Sequence, residues 1–215
     1  MTPRPPSRVQ WRFAAAIVGL AAIWLAMLLG GGGSTDRSLY EALYAGRRPL
    51  LLVMARILTF LGDPTLLIGA GIVLGLWLWH VGRARLGLAL VAVTIGGRIL
   101  SEGQKYWIAR ARPDLEPHLV IVKTSSFPSG HATSSMIFYL ALALALGVSS
   151  RWRFTATAAA ILLSLLVGAS RVMLGVHWPS DVIGGWAFGL LWVLLTLRPA
   201  ERLLRSDSEM DQTRL

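Results

Sequence analysis

The chain has 215 residues, of which 54% are hydrophobic and 15% charged, with 21 Lys plus Arg against 11 Asp plus Glu. A typical soluble domain is about 45–50% apolar and about 25% charged, so this composition argues against an ordinary soluble domain. The mean hydropathy of +0.59 argues equally against a disordered chain. The absence of cysteine from the sequence excludes disulfides, thiolate metal sites and a cysteine nucleophile.

Apolar stretches along the chain predict an all-α membrane protein with six transmembrane helices. The first stretch holds no charged residue and reaches the length of about 18–20 residues that crosses a bilayer. A cleaved signal peptide is the alternative for this stretch, although signal peptides have shorter apolar cores of about 7–15 residues. The predicted spans are 13–30, 64–82, 86–97, 132–148, 154–169 and 182–197.

The segment 50–61 is predicted to form an amphipathic helix in the membrane interface. Its apolar residues recur at helical spacing, but it is too short, and with Arg56 too charged, to cross the bilayer. A packed re-entrant segment is the alternative. Small residues four apart, Gly71 with Gly75 and Gly185 with Gly189, permit close helix packing, although glycine is also common in membrane helices for other reasons.

The distribution of basic residues predicts the orientation. If the N-terminus lies inside, the inner segments hold 11 of the 21 basic residues, and both short inner loops contain arginine and no acid. Cytoplasmic loops of membrane proteins typically carry such an excess of basic residues. Both termini are therefore expected in the cytoplasm. We expect one domain over residues 1–205 and a polar tail over 206–215. The 11 basic residues of the predicted inner segments are Arg4, Arg8, Arg12, Arg83, Arg85, Arg151, Arg153, Arg198, Arg202, Arg205 and Arg214.

Polar motifs are concentrated in the predicted outer loops. Lys105 and Arg112 are seven residues apart, which on a helix places them two turns apart on one face, and Pro113 ends the segment. Pro128 and Ser129 precede the fourth span and suit the first turn of a helix, whose free N–H groups bind anions. Taken singly, these features are more typical of interfacial anchors and helix caps.

A further polar group joins the fifth and sixth spans. Arg171 ends the fifth span, and Pro179 fits the first position of the next helix. His177 would then lie just outside that helix, with Asp181 in its first turn. Because these groups and the motifs above come from three separate hairpins to one membrane face, we expect them to form one site.

Three motifs carry a resemblance to a known family. Residues 105–113 read K-x6-R-P, residues 128–131 read P-S-G-H, and residues 170–181 read S-R-x5-H-x3-D. In this order they resemble the signature of the type 2 phosphatidic acid phosphatase superfamily, or lipid phosphate phosphatases. That superfamily includes bacterial undecaprenyl-diphosphate and phosphatidylglycerophosphate phosphatases.

The resemblance implies a role for each motif residue. His177 is the implied nucleophile, which forms a phosphohistidine, Asp181 orients it, and His131 is the general acid and base. The implied phosphate-binding residues are Lys105, Arg112, Ser129, Gly130 and Arg171. Three cations suit the roughly −1.5 to −2 charge of a phosphomonoester. Since no carboxylate cluster accompanies them, and Asp114 and Glu116 fit loop solvation better, we expect no metal and no other cofactor.

The expected substrate is a lipid phosphate or diphosphate, because a phosphate pocket at helix ends is most easily reached by a phosphate anchored at the same surface. Undecaprenyl diphosphate, phosphatidylglycerophosphate and phosphatidic acid all fit. The composition, with 19 Arg against 2 Lys, suggests a bacterial source. The expected location is the bacterial cytoplasmic membrane, with the site facing outward.

Two other functions compete with hydrolysis. A lipid phosphotransferase would use the same phosphohistidine and a different acceptor. A non-catalytic transporter or flippase would use the cations only to bind a headgroup, but transporters often place charges near the midplane, whereas these lie at span ends. Nucleic-acid binding is excluded because the basic residues are dispersed among the spans and form no continuous face.

Overall fold

A computed structural model describes residues 7–145 and 150–212. Within these ranges the regular structure is entirely α-helical, which confirms the predicted fold class. Eight helices are described: α1 Arg8–Gly30, α2 Ser34–Leu43, α3 Pro49–Leu61, α4 Pro64–His80, α5 Ala84–Ile108, α6 Gly130–Ala145, α7 Ser150–Met173 and α8 Pro179–Gln212.

Four of the described helices are long and apolar enough to cross a membrane: α1, α5, residues Trp152–Met173 of α7 and residues Pro179–Leu197 of α8. The pair α3 and α4 passes the same test jointly, with a bend of 41° at the break between them, and α6 is apolar but shorter. A bilayer-spanning bundle therefore agrees with the apolar lengths, and the count of six spans stays a prediction.

Helix α3 coincides with the segment predicted to lie in the interface. It packs against α7, and only Gly62 and Asp63 separate it from α4, whose first turn is capped by the Asp63 carboxylate through the Thr65 and Leu66 amides. The packing of α3 against α7 and its short connection to α4 are compatible with an interfacial helix and with a re-entrant segment. Both interpretations therefore remain predictions.

The helix boundaries differ from the sequence predictions in three places. Helix α5 runs past the predicted end at residue 97 because Glu102 pairs with Arg98 at 2.9 Å and with Lys105 at 3.4 Å, which neutralises charge within the apolar segment. Helix α2 was not predicted, since its polar sequence resembles a loop. Helix α8 runs past the predicted span end at residue 197 to Gln212, and the separate tail over 206–215 stays a prediction. Residues 146–148 of the fourth predicted span and 213–215 of the predicted tail lie outside the described residues.

Glycines set the closest helix approaches. A Cβ at Gly87 of α5 would lie 2.4 Å from the main-chain oxygen of Gly75 in α4. On the other side of the bundle, a Cβ at Gly185 would lie 2.9 Å from the Ser129 oxygen, and one at Gly189 would lie 3.1 Å from the Thr133 oxygen. Two of these residues, Gly185 and Gly189, form the small-residue pair of α8 expected from the sequence, and they seat α8 against α6.

The variant Gly87→Ala should be destabilised, because its new methyl group meets main-chain atoms that cannot rotate away. Overpacking of this kind costs about 1–3 kcal/mol. Gly103→Ala on the same helix is the matched control, since nothing lies within 4 Å of its Cβ position and alanine favours the helix. Thermal unfolding of both variants in detergent checks this. Equal midpoints for the two variants would contradict the close approach of α4 and α5.

Candidate active site

A cavity of about 200 Å³ lies at one end of the bundle, where the α3–α4 break, α5, α6, α7 and two loops meet. Six of the eight residues proposed from the sequence line it: Lys105, Arg112, Gly130, His131, Arg171 and His177. The remaining two are fully buried beside it, Asp181 behind His177 and Ser129 before α6. The structure therefore brings the three sequence motifs together at one place.

The ring of His177 lies between a cation and a carboxylate. Its Nε2 is 3.2 Å from Arg112 Nη1, and its Nδ1 is 3.4 Å from Asp181 Oδ2. A guanidinium group can only donate hydrogen bonds, so Nε2 accepts and carries no proton. The ring proton then resides on Nδ1, which lies 3.4 Å from both Asp181 Oδ2 and the Ser126 hydroxyl oxygen, an arrangement similar to other His–Asp pairs. The unprotonated nitrogen belongs to a side chain that lines the cavity.

The environment of His177 keeps the ring neutral. The side chain is 2% exposed, and burial lowers its pKa well below the ordinary value of about 6.5. The positive charges of Arg112, Arg171 and Lys105 lower the pKa further. At neutral pH Nε2 therefore carries no proton, and its lone pair accepts from Arg112 Nη1.

Asp181 is a fully buried carboxylate whose oxygens both have partners. Oδ1 accepts from Arg110 Nη1 at 2.8 Å, and Oδ2 accepts from the Trp178 amide at 2.9 Å and from the Ser126 hydroxyl. The residue lies in the first turn of α8, where the helix dipole favours negative charge. These contacts hold the carboxylate beside the Nδ1 atom of His177.

The predicted shared helical face of Lys105 and Arg112 is wrong. Helix α5 ends at Ile108, and Ala109 takes a left-handed conformation with φ of 48°, so Arg112 lies in the following loop. Arg112 is held there by main-chain oxygens, with Nε 2.7 Å from that of Thr124 and Nη1 2.5 Å from that of Val176. Both cations still line the cavity, because Lys105 Nζ contacts the hydroxyl of the same Thr124 at 3.1 Å.

The start of α6 also differs from the prediction. The helix begins at Gly130, so Pro128 and Ser129 precede its first turn. The Ser129 amide donates to the main-chain oxygen of Asp181 at 3.0 Å and is not free for an anion. Gly130 itself lines the cavity, and a Cβ there would lie 2.6 Å from Arg98 Nη1 and 3.4 Å from Lys105 Nζ. Of the two residues, Gly130 is therefore the one whose amide stays a candidate for anion binding.

Arg171 reaches the cavity from the last turn of α7. Its Nη1 donates to the Thr59 hydroxyl of α3 at 2.6 Å, which fixes the guanidinium group from one side. Its Nε is buried and has no hydrogen-bond partner among the described residues. A buried N–H without a partner costs free energy, and an anionic oxygen in the cavity would satisfy it.

Several residues that shape the site were not predicted from the sequence. Arg110 and Ser126 bind the Asp181 carboxylate, and Arg98 contributes a further cation to the cavity wall. Two of them adjoin recognised motifs, since Arg110 lies within K-x6-R-P and Ser126 comes two residues before P-S-G-H. That adjacency is the sequence signal by which these two residues could have been found.

Within residues 7–145 and 150–212, the structure contains no group of three or more His, Asp or Glu side chains arranged to hold a metal ion. Asp114 and Glu116 lie together in a separate open pocket with His118. The two carboxylates are therefore not wall residues of the cavity that contains His177.

Comparison with known proteins identifies the class. Residues 84–204 match the PAP2 superfamily. The chain is 32% identical over 176 residues to phosphatidylglycerophosphatase B of Bacillus subtilis, covering 80% of this chain and 86% of the relative. It is 33% identical over 217 residues to lipid A 1-phosphatase of Rhizobium etli, covering 89% of this chain and 85% of the relative.

A solved structure shares the fold. The crystal structure of a transmembrane PAP2 type phosphatidylglycerolphosphate phosphatase from Bacillus subtilis matches with a TM-score of 0.80 and 30% identity, covering 87% of this chain and 96% of that chain. The helical membrane fold and these relatives define a membrane hydrolase of the lipid phosphatase class. The chain belongs to the PAP2 superfamily, as its three motifs implied.

The neutral His177 predicts a pH-dependent stability. Below the ordinary pKa of about 6.5, the unfolded chain binds a proton that folded His177 does not, so the folded state loses stability as the pH falls. This loss continues down to the lowered pKa of the folded state, with a slope of up to about 1.4 kcal/mol per pH unit.

Thermal unfolding in detergent between about pH 7.5 and pH 5.5 brackets the ordinary histidine pKa and measures this effect. The slope should be smaller in His177→Gln than in the unchanged protein. The exposed His118, in His118→Gln, is the matched control and should leave the slope unchanged. An unchanged slope in His177→Gln would show that the folded ring titrates normally.

Proposed function

We propose that the protein hydrolyses the terminal phosphate of a lipid phosphate or diphosphate through a phosphohistidine at His177. The observation that carries this proposal is the orientation of the ring: Nε2 contacts the cavity residue Arg112, while Nδ1 faces Asp181. A nucleophile, an orienting carboxylate and an anion-binding wall are the parts that phosphoryl transfer requires.

The first step transfers the phosphoryl group to the enzyme. The Nε2 lone pair forms a bond to phosphorus while the bond from phosphorus to the lipid oxygen breaks. The electron pair of the broken bond stays on that oxygen, which takes a proton from His131. Because burial and the neighbouring cations lower the pKa of His131 in the free enzyme, the anionic substrate must bring this proton with it. The lipid leaves with its new hydroxyl group, or with its remaining phosphate when the substrate is a diphosphate.

The second step returns the enzyme to its starting state. A water molecule attacks the phosphorus, and His131 accepts a proton from that water, so the same ring acts first as acid and then as base. The bond between phosphorus and Nε2 breaks, and its electron pair returns to the nitrogen. Inorganic phosphate leaves, and both histidines have regained their original protonation.

The cations of the wall stabilise the charge that develops on the phosphoryl oxygens. Lys105, Arg112 and Arg171 line the cavity, and Gly130 brings the N-terminal end of α6 to the same place. Arginine holds two oxygens at once, and a helix N-terminus adds N–H donors. These groups occupy the position that magnesium takes in many phosphotransfer enzymes, and we infer that hydrolysis needs no metal.

Among the substrates, we place phosphatidylglycerophosphate first. The Bacillus subtilis relatives named for that activity match this chain over most of its length and share its fold. The Rhizobium relative, named a lipid A 1-phosphatase, supports a phosphate on a larger glycolipid as the second choice. Undecaprenyl diphosphate and phosphatidic acid complete the panel.

We also propose that the site faces the outside of a bacterial cytoplasmic membrane, with both termini in the cytoplasm. The 11 basic residues in the predicted inner segments, against 10 in the longer outer segments, support this orientation. The acid-containing loop over residues 109–129 would then lie outside, next to the cavity.

Phosphate release from purified protein in detergent tests the activity. We expect hydrolysis of phosphatidylglycerophosphate at an undiminished rate in EDTA, and no detectable turnover in His177→Ala. The matched control is His118→Ala, an exposed histidine outside the cavity, which should keep at least about half of the activity, since surface changes are usually mild.

Four outcomes would contradict the proposal. Full activity in His177→Ala would remove the nucleophile, and loss of activity in EDTA would require a metal. Transfer of phosphate to an added lipid acceptor without release of free phosphate would identify a phosphotransferase. Movement of a lipid across vesicle membranes without any hydrolysis would identify a transporter.

The orientation is tested by cysteine labelling, for which the cysteine-free chain gives a clean background. A membrane-impermeant maleimide should label Asp114→Cys in intact cells. Val81→Cys, at an exposed position between α4 and α5, should react only after the membrane is opened. The reverse pattern would invert the proposed topology.

A further inference from the structure

Arg110 connects parts of the chain that are distant in sequence. It lies two residues beyond the end of α5, and its side chain is 13% exposed. On one side, Nη1 donates to Asp181 Oδ1 at 2.8 Å and to the Ser180 hydroxyl at 3.3 Å. The guanidinium group also lies 4.3 Å from the centre of the Phe127 ring, which supports it by a cation–π contact.

On the other side, Arg110 binds the C-terminal end of α1. Its Nη2 donates to the main-chain oxygens of Met27 at 2.9 Å and Leu28 at 2.5 Å. The last carbonyl groups of a helix have no partner within the helix and carry the negative end of its dipole, so a cation is favourable there. Gly31 makes room for this contact, because a Cβ at that position would lie 2.3 Å from Arg110 Nη1.

A second connection joins the same two regions. The Asp36 carboxylate of α2 accepts from the Ser180 amide at 2.9 Å and from the Ser180 hydroxyl at 2.5 Å. It also accepts from the Gly32 amide at 2.7 Å. The connection from α1 to α2 is thereby attached to the first turn of α8, next to Asp181.

We propose that Arg110 is a positioning residue that connects Asp181 to the C-terminal end of α1, so that the position of α1 in the bundle determines the orientation of the His177 ring. This inference rests on the proposed function, in which Asp181 orients the nucleophile. Arg110 does not line the cavity and acts only through Asp181.

The geometry explains why an arginine is needed. Ser126 and the Trp178 amide both bind Oδ2, the oxygen beside His177. Among the described contacts of Oδ1, Arg110 is the charged partner. Without it the buried carboxylate would lose its charged partner and would be held by the hydrogen bonds to Oδ2 alone. The planar fork of arginine also reaches both Asp181 and α1 at once, which a single ammonium group cannot do.

The first test compares Arg110→Met with Arg110→Lys in the phosphate-release assay. We expect kcat to fall by about 10- to 100-fold in Arg110→Met, as for other residues that orient a catalytic group, with KM nearly unchanged. Arg110→Lys should recover part of the loss because it keeps the charge. Arg37→Met, an exposed arginine on α2, is the matched control and should behave like the unchanged protein.

The pH profile distinguishes positioning from a loss of folded protein. In Arg110→Met the negative charge of Asp181 is less neutralised, which raises the pKa of His177, so the acidic limb of kcat should move to higher pH. A purely structural defect would lower activity equally at every pH. The other groups that face His177 stay in place in this variant; they are Lys105 of α5, Arg112, His131 of α6 and Arg171 of α7.

A second pair of variants tests the connection to α1 without changing any charge. In Gly31→Ala the new methyl group should displace the Arg110 guanidinium, which is the mobile end of its side chain, and should lower kcat with the same shift of the acidic limb. Gly30→Ala adds a methyl group one residue earlier, where nothing lies within 4 Å, and should have no effect.

The outcomes separate this inference from the proposed function. If the unchanged protein releases no phosphate from any lipid of the panel, the proposed function fails. If it does, and Arg110→Met keeps its kcat and pH profile, the positioning role alone is refuted. A normal kcat and pH profile in Gly31→Ala, together with a defect in Arg110→Met, would refute the part assigned to α1.

Discussion

The buried carboxylate of Asp181 is the constraint on which the functional end of the bundle depends. An ionised carboxylate away from water is costly unless charges and hydrogen bonds replace its hydration. Here the replacements come from Arg110 and Ser126 in the loop that follows α5, and from the Trp178 amide before α8. To supply them, the loop must pass beside the N-terminus of α8. The path of the loop and the start of α8 are therefore fixed together, and His177 is fixed with them.

The same low-dielectric surroundings make the cavity a strong anion site. Among the described contacts, Arg112 is positioned by main-chain oxygens and forms no ion pair, so no direct partner there neutralises its charge. Lys105 shares Glu102 with Arg98, which leaves one excess positive charge among the three. Arg171 adds a further cation whose Nε has no partner within the described part of the chain, so the cavity wall is positively charged before any anion binds. Such preorganisation is the main way in which enzymes stabilise phosphoryl transfer, because no reorganisation is needed during the reaction.

Sequence patterns within single segments correctly predicted the apolar helices and those helix ends that carry a recognisable residue, such as a proline at the first position. The apolar stretches marked the membrane helices, and Pro179 marked the start of α8, with His177 outside it and Asp181 in its first turn. Two predictions failed, the shared helical face of Lys105 and Arg112 and the free amide of Ser129, because neither feature has a local signal in the sequence. Ala109 ends α5 in a left-handed conformation without the glycine that usually marks such an end, so the break between Lys105 and Arg112 was not visible. The bond from the Ser129 amide to Asp181 joins residues far apart in sequence, and spacing within one segment contains no information about it.

Glycine packing connects these local contacts to the bundle as a whole. At Gly185 and Gly189, α8 approaches α6 so closely that an added Cβ would meet the main-chain oxygens of Ser129 and Thr133. This approach brings the first turns of the two helices side by side, and the Ser129 amide bonds to Asp181 across the gap. His131 stands in the first turn of α6 and His177 just before α8, so the close contact between these two helices brings the proposed acid and the proposed nucleophile to the same end of the bundle. The apolar bundle therefore does more than anchor the site, since the packing of α8 against α6 places both histidines on the wall of one cavity.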